Sequence, residues 1–375
     1  MQKLFLITND FGPRAGGIET FVLGLLERIK DKEIWVYTSK QANSDEFDRQ
    51  WLKKYNVRVI RDRSRILLPT PRVVRNLRKI ISGNGIEIIW FGAAAPLGIA
   101  APWLRLPSIK RVVALTHGHE VWWAKIPPFS WLLRYASGGI DYFGFLGEYT
   151  KKAISRAVDP KKLVHIAPGI DIKHFSATNS RLRQELQIGD RPAIISVGRL
   201  VHRKGQDQLI KALSIIKEAI PDVILIIVGE GPNREVLNKL VKQFELADSV
   251  RFLGRVSYDD LPKYLSASDI FAMPSRDRLF GLEVEGLGIV YLEASACELP
   301  VIVGKSGGAT DALIEGVTGI SVDGRNTKEI AHAAIKLLKD KKLSKKMGKA
   351  GRKWAETEWS WQIWSNRFAK LLNTQ

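Results

Sequence analysis

The sequence predicts two α/β domains, each a parallel sheet with helices on both faces, and three observations carry that expectation. Short apolar runs alternate with helix-period segments from end to end, the pattern that builds parallel sheets covered on both sides. The runs fall into two series that meet near Ala167-Pro-Gly-Ile-Asp171. The length, 375 residues, suffices for two domains of ordinary size. A content of 45% hydrophobic and 26% charged residues excludes a disordered, collagen-like or coiled-coil chain.

The first series places strands at Lys3–Thr8, Ile34–Thr38, Ile86–Phe91, Arg111–Thr116 and Asp141–Leu146. Between the first two, Ile18, Phe21, Val22, Leu25, Leu26 and Ile29 have the spacing of a helix packed on a sheet. The second series is Ala193–Gly198, Val223–Gly229, Val250–Leu253, Asp269–Met273, Pro300–Val303 and Gly319–Val322. Two such series imply two Rossmann-like domains, over 1–168 and 169–353, with a tail over 354–375. Four of the eleven tryptophans, Trp354, Trp359, Trp361 and Trp364, crowd that tail. Trp361, Trp364, Phe368, Leu371 and Leu372 form an apolar helical stripe, expected to pack back on the N-terminal domain. The uncharged stretch Ile88–Leu104 contains two glycines and two prolines and falls just short of a membrane span, so it reads as a strand, a loop and a helix.

The net charge of +19 is concentrated in the N-terminal half. Between Lys53 and Lys79 there are ten basic residues and one acid, Asp62. There a helix carries Val73, Val74, Leu77, Ile80 and Ile81 on one face, flanked by Arg72, Arg75, Arg78 and Lys79. Three readings fit this segment: an anionic membrane surface, a nucleic acid, or a solvated basic face over a packed helix. No zinc-finger, helix-turn-helix or aromatic-rich strand signature supports nucleic acid. A single cysteine, Cys297, excludes an intrachain disulfide and fits a reducing compartment. The apolar run at the start is broken by Asn9 and Asp10, too short for a signal-peptide core, so the expected location is cytoplasmic.

Ligands of two-domain α/β proteins bind at the carboxyl ends of strands and between domains, so the candidate residues lie there. After the first strand comes Asn9-Asp-Phe-Gly-Pro-Arg-Ala-Gly-Gly-Ile-Glu19, where Gly16-Gly17 admits close backbone approach and a helix start offers amides to an anion. A structural turn explains the glycines equally well. His117-Gly-His-Glu120 follows another strand; His117 and His119 suit hydrogen bonding to a polar ligand more than metal, since no cysteine or third histidine is nearby. Arg199 and Lys204 sit between a strand and the next helix, where a guanidinium fork and an ammonium together suit a diphosphate. In Leu282-Glu-Val-Glu-Gly-Leu-Gly-Ile-Val-Tyr-Leu-Glu-Ala-Ser-Ala296, Glu285 lies in a loop and Glu293 just over a turn inside a helix. Each carboxylate can hold a vicinal diol, with the amides near Gly288, Ile289 and Val290 meeting phosphate between them. That set suits a nucleotide-sugar: a ribose, a diphosphate and a hexose.

At these residues the chain resembles GT-B glycosyltransferases of the retaining family 4 type. The two glutamates seven residues apart, the Gly-Gly loop, Gly198-Arg199 with Lys204-Gly205, Val228-Gly-Glu-Gly-Pro232 and Pro168-Gly-Ile-Asp171 occur in that family's order along essentially the whole chain. Asn9-Asp-Phe with Gly16-Gly-Ile18, Thr116-His-Gly-His-Glu-Val-Trp122 and Val284-Glu-Gly-Leu-Gly-Ile-Val-Tyr-Leu-Glu-Ala-Ser-Ala-Cys297 are similar to the PimB-type phosphatidylinositol monomannoside mannosyltransferases.

The resemblance implies two Rossmann-like domains facing each other across a cleft, the N-terminal one serving acceptor and membrane and the C-terminal one the nucleotide-sugar. It implies GDP-mannose as donor and an anionic phosphatidylinositol mannoside as acceptor, extended by an α-1,6 linkage on inositol, with retention at the anomeric carbon. Glu293 would bind the ribose, Arg199 and Lys204 the diphosphate, Glu285 the transferred sugar; Gly17 would approach the diphosphate and the backbone near Val256 would read the base. His117 would lie by the sugar at the reacting centre, and Asp10 and His119 would serve the acceptor. No Asp-x-Asp motif is present, and cations with helix amides can neutralise the leaving group, so neither a divalent metal nor a cofactor is expected. The membrane reading gains from the resemblance, with the enzyme peripheral on the inner face of the plasma membrane through Arg72, Arg75, Arg78 and Lys79, and with no nucleic-acid partner. Arg276-Asp-Arg-Leu-Phe-Gly281 departs from the family in being bulky and charged. Two alternatives stay open: a family 4 transferase with another nucleotide-sugar or acceptor, and a non-catalytic nucleotide-sugar or lipid-binding module.

Overall fold

A computed structural model describes residues 1–14, 16–178 and 181–373. The chain divides into one unit of Met1–Gly169 joined by Trp361–Gln375, and a second of Ile170–Ser360. In the first, β1 (Gln2–Thr8), β2 (Lys32–Thr38), β3 (Val57–Arg61), β4 (Ile88–Phe91), β5 (Arg111–Leu115), β6 (Tyr142–Phe145) and β7 (Leu163–His165) form a parallel sheet in the order β3-β2-β1-β4-β5-β6-β7. In the second, β8 (Ala193–Val197), β9 (Ile224–Val228), β10 (Val250–Gly254), β11 (Ile270–Met273), β12 (Val301–Gly304) and β13 (Gly319–Val322) follow the order β10-β9-β8-β11-β12-β13. Both sheets reverse direction of growth beside their first strand, between β1 and β4 and between β8 and β11, the point where α/β sheets open a crevice. Every residue of β4, β8 and β9 is buried, as expected of strands covered on both faces.

The helices used below are α1 (Gly17–Leu26), α2 (Pro71–Asn84), α3 (Ala101–Leu104), α4 (Phe129–Ser137), α5 (Gln206–Ala219), α6 (Ile289–Ala296), α7 (Lys341–Glu358) and α8 (Trp361–Leu372). The uncharged stretch 88–104 resolves into β4, a 3-10 turn at Leu97–Ala100 and α3. Among the described residues no helix is long and apolar enough to cross a membrane.

The Trp-rich segment is split between the two units. Trp354 lies on α7 and stacks edge-on with Trp359 in the second unit. The predicted stripe begins with α8, which buries Trp364, Phe368, Leu371 and Leu372 in the first unit. Phe368 meets Trp90 at 4.7 Å, Trp364 meets His165 at 4.7 Å, and Trp361 packs over Arg28.

The basic segment divides in a way its composition hides. Residues 57–61 are the edge strand β3, where Arg58 lies over Trp35 and pairs with Glu33. α2 starts with Thr70 accepting from the Val73 amide and buries Val73, Leu77 and Ile81. Arg72 holds the buried Asp62 through two bonds of 2.8 Å and adds a third to Ser64. That pairing, helped by the Tyr37 hydroxyl and the Ser64 amide, keeps the Asp62 carboxyl far below its ordinary pKa, while burial pushes Tyr37 up to about 12. Arg72, which the sequence groups with the lipid-facing cations, is thus committed inside the fold, whereas Arg75, Arg78 and Lys79 are exposed. Arg72→Ala is expected to strand Asp62 and cost about 2 kcal/mol, a melting shift of roughly 4–8 °C, after allowing for the partial exposure of Arg72. Arg75→Ala at its exposed position should leave the melt unchanged within about 0.5 kcal/mol.

Candidate active site

The candidate residues form one group in each unit. In the first unit the group stands at the carboxyl ends of β1, β4 and β5. Asp10 follows β1, its amide donating to Thr8 Oγ1 at 2.9 Å. Burial and the nearby Glu19 charge push its carboxyl up to about 6, against the pull of Arg14. Arg14 reaches Glu19 at 2.6 Å and Asp10 at 3.4 Å, so one exposed guanidinium serves two carboxylates. Glu19 is buried in the first turn of α1. A Cβ on Gly16 would stand 2.2 Å from the Glu19 carboxylate, whereas one on Gly17 would meet nothing within 4 Å. Gly16 therefore makes room for Glu19, and Gly17 presents open backbone at the head of α1. Ala15, inside this loop, lies outside the described residues.

His117 leaves the end of β5 with its Nε2 2.5 Å from the Gly92 carbonyl and its amide donating to Glu120 at 2.9 Å. A carbonyl only accepts, so Nε2 carries the proton and donates. Burial lowers the ring pKa, so the imidazole is neutral near pH 7 with Nδ1 as an acceptor. His119 Nε2 donates to the Ala95 carbonyl at 3.0 Å and lies 3.2 Å from the buried Glu120. Among the described residues no three His, Cys, Asp or Glu side chains group as metal ligands.

In the second unit β8 and β9 each run into a glycine, Gly198 and Gly229. A Cβ on Gly229, after β9, would stand 2.1 Å from the Gly198 carbonyl after β8, so only glycine allows these two chains to touch. Val256 lies half-buried just past β10. Arg199 is exposed, and its guanidinium makes no ion pair among the described residues. Farther along, a 3-10 turn at His202–Lys204 leads into α5. Lys204 Nζ lies 2.8 Å from Glu285 Oε2, and Arg203 Nη1 lies 2.7 Å from the same oxygen. Burial disfavours the Glu285 charge, but the two cations outweigh it and hold its pKa below the ordinary value. Glu285 is therefore ionised at neutral pH, and its Oε1 has no hydrogen bond among the described residues. Its backbone is pinned by Ser306, whose hydroxyl accepts from the Glu285 amide and donates to Asp277.

Gly288 (φ 78°) heads α6, where a Cβ would collide with the Tyr291 ring at 2.5 Å. The amides of Ile289 and Val290 open the helix, where no preceding turn supplies carbonyls. One turn on, Glu293 is half-buried and its carboxylate has no partner among the described residues. Burial pushes it up to about 7. The loop before Glu285 is tied by Arg276 to Asp207 at 2.9 and 2.7 Å and by Arg278 to Glu283 at 3.0 Å, while Leu279 and Phe280 project into solvent.

The structure thus brings Glu285 and Lys204 together, sets Glu293 with Gly288, Ile289 and Val290 on one helix start, and leaves Arg199 exposed and without an ion pair among the described residues. Sequence reasoning passed over Arg203, Arg14 and Glu19. The signal for Arg203 was its place in His202-Arg-Lys204, opposite a carboxylate whose burial demands cations.

The chain matches two family models: Glycosyltransferase Family 4 over residues 15–174 and Glycosyl transferases group 1 over residues 178–354. It is 40% identical to the GDP-mannose-dependent alpha-(1-6)-phosphatidylinositol monomannoside mannosyltransferase of Mycolicibacterium smegmatis, over 99% of this chain and 98% of the relative. It is 38% identical to the GDP-mannose-dependent monoacylated alpha-(1-6)-phosphatidylinositol monomannoside mannosyltransferase of Corynebacterium glutamicum, over 100% and 98%. The crystal structure of Anabaena Alr3699/HepE in complex with UDP superposes with a TM-score of 0.84 at 19% identity, covering 99% of both chains, which shows the fold. With two adjoining family models and full-length relatives near 40% identity, the chain belongs to the family 4, group 1 glycosyltransferases, enzymes with two Rossmann-like domains.

Proposed function

We propose that this enzyme transfers mannose from GDP-mannose to a phosphatidylinositol mannoside, forming an α-1,6 linkage on inositol with retention at the anomeric carbon. The observation that carries the reading is the constellation at α6: an ionised Glu285 beside Lys204 and Arg203, helix-start amides, and an unpartnered Glu293 one turn on. The full-length similarity to the two mannosyltransferases supports the choice of donor and acceptor.

In this mechanism Glu293 accepts from the ribose hydroxyls, and the Ile289 and Val290 amides meet a phosphate. Lys204, with Arg203, stabilises the charge that develops on the departing diphosphate, so no metal is called on. Arg199 is the outer cation for the same group. Gly17 lends open backbone to the diphosphate, and the chain near Val256 reads the base. Glu285 Oε1 accepts from a hydroxyl of the transferred sugar. In the first unit, neutral His117 serves that sugar through Nδ1, and Asp10 and His119 serve the acceptor.

The acceptor hydroxyl attacks the anomeric carbon on the face from which GDP departs. The carbon–oxygen bond to the diphosphate breaks, and a diphosphate oxygen takes the acceptor proton. The acceptor is a lipid, and the enzyme works as a peripheral protein on the inner face of the plasma membrane, held through Arg75, Arg78 and Lys79.

Calorimetric titration with GDP, UDP and ADP, without divalent metal, tests the donor. GDP is expected to bind tightest and to lose at least about tenfold in affinity in Glu293→Ala, since two charge-assisted hydrogen bonds are removed. Preference for UDP or ADP would overturn the donor while keeping the reaction class. A second readout, radiolabelled mannose appearing in phosphatidylinositol mannoside, tests the acceptor.

A further inference from the structure

The loop between β11 and Glu285 presents two apolar side chains to which the mechanism gives no part. Phe280 is 107% exposed, as open as in an extended peptide, and Leu279 beside it is 62% exposed. A single exposed apolar residue needs no explanation, but the backbone beneath these two does. Leu279 and Phe280 stand at φ 48° and 55°, followed by Gly281 at 80°. Left-handed backbone is unfavourable for any residue with a Cβ and rare for bulky ones. Glycine would adopt it without strain, so the chain bears a cost to keep these side chains at the tip.

Such strain persists only where the surroundings over-determine it. Arg276 holds Asp207 of α5 through two bonds of 2.9 and 2.7 Å. Asp277 accepts from the Ser306 hydroxyl and, through its carbonyl, from Arg325. Arg278 and Glu283 close the loop with backbone bonds of 2.9 and 3.2 Å and an ion pair of 3.0 Å. Ser306 also joins the loop to the sugar site, because its hydroxyl accepts from the Glu285 amide.

Charge and position select what the tip meets. Arg276 and Arg278, which flank it, are paired with Asp207 and Glu283, so the tip itself is neutral and draws no anion. An aliphatic and an aromatic side chain with no hydrogen-bonding group between them suit hydrocarbon; a sugar ring would also ask for polar partners. Glu285 follows the Arg278–Glu283 bridge by one residue, so a sugar held there lies beside the loop. The acceptor that attacks this sugar must come to the same place.

We infer that Leu279 and Phe280 are an acyl-reading tip, held rigidly beside the sugar site to contact the hydrocarbon of the lipid acceptor. The inference rests on the lipid acceptor proposed above and names the residues that tell an acylated acceptor from its bare headgroup.

Steady-state transfer from GDP-mannose tests it on two acceptors, phosphatidylinositol mannoside in detergent micelles and its deacylated, water-soluble form. Leu279→Asn/Phe280→Asn is the variant, because asparagine tolerates left-handed backbone and only the hydrocarbon is lost. It should melt no lower than the wild type. Its KM for the acylated acceptor should rise about tenfold, with kcat and the KM values of GDP-mannose and the deacylated acceptor within about twofold. An unchanged KM for the acylated acceptor overturns the inference. An equal rise on both acceptors assigns the tip to the headgroup and overturns it too.

A probe independent of turnover separates this contact from the reaction. Cys297 is buried, so Phe280→Cys can be labelled selectively with a polarity-sensitive dye. Its emission should move further to the blue with the acylated lipid in micelles than with the micelles alone, and stay unchanged with the deacylated headgroup. An equal shift in plain micelles marks unselective insertion and counts against the tip. If the dye responds to the lipid yet the wild type transfers no mannose, the contact stands and the proposed reaction falls. If transfer holds while the dye and KM ignore the acyl chains, the inference alone falls.

Discussion

Lys204→Ala is expected to lower kcat/KM for sugar transfer about a hundredfold, close to 3 kcal/mol of transition-state stabilisation. The ammonium is buried and lies 2.8 Å from Glu285, so its charge acts in a site poor in water. Glu285 keeps Arg203 at 2.7 Å in the variant, so the carboxylate is not left alone and the fold should survive. The loss should therefore fall on rate far more than on melting temperature. Lys204→Arg should recover only part of it, because a planar guanidinium cannot occupy the place of a compact ammonium without moving Arg203. Steady-state kinetics together with a thermal melt check both statements. Wild-type kcat/KM in Lys204→Ala would remove this residue from the chemistry.

Glu293→Gln is expected to stabilise the protein at pH 8 and leave it unchanged near pH 4. The native carboxyl is raised from its ordinary value of 4.5 to about 7 by burial alone. The folded chain therefore holds this proton more tightly than the unfolded chain. No penalty applies below about pH 4.5, the penalty grows between 4.5 and 7, and it is complete above 7. A shift of this size corresponds to up to about 3 kcal/mol. Removing the charge should raise the melting temperature at pH 8, where the penalty is full. Nucleotide affinity should move the other way, since the amide replaces one of two acceptor oxygens. In the wild type, donor binding should weaken as pH falls below about 7 and the carboxyl takes up its proton. Melts at the two pH values and titrations across the range give the test; equal melts of wild type and variant at pH 8 would show that Glu293 carries no such strain. A residue that destabilises the empty protein and tightens its ligand is a common feature of binding sites.

Much of the architecture could be read along the chain. The runs of β1, β2, β4 and β5 and those of β8 to β13 stand out because parallel strands are apolar on both faces. β3 and β7 did not stand out. β3 is an edge strand whose Val-Arg-Val-Ile-Arg alternation lies inside a basic run, and β7 has only three residues. For the site, the spacing of Glu285 and Glu293 around Gly288 was visible because this helix starts from a left-handed residue, φ 78°, a conformation that favours glycine. The interplay of Lys204 and Glu285, 81 positions apart, was not, since nothing local pairs them.

What the sequence by itself determined is what depends on near neighbours: the element order, the two-domain division, the motif spacings and the family. Only the tertiary structure decided which charges are spent. It commits Arg72 to Asp62, brings Arg203 as well as Lys204 onto one Glu285 oxygen, and leaves Glu293 without a partner. The physical reason is that periodicity records which face a residue takes in its own helix or strand. Whether a charge pays for its burial depends on groups that only folding carries to within about 3 Å.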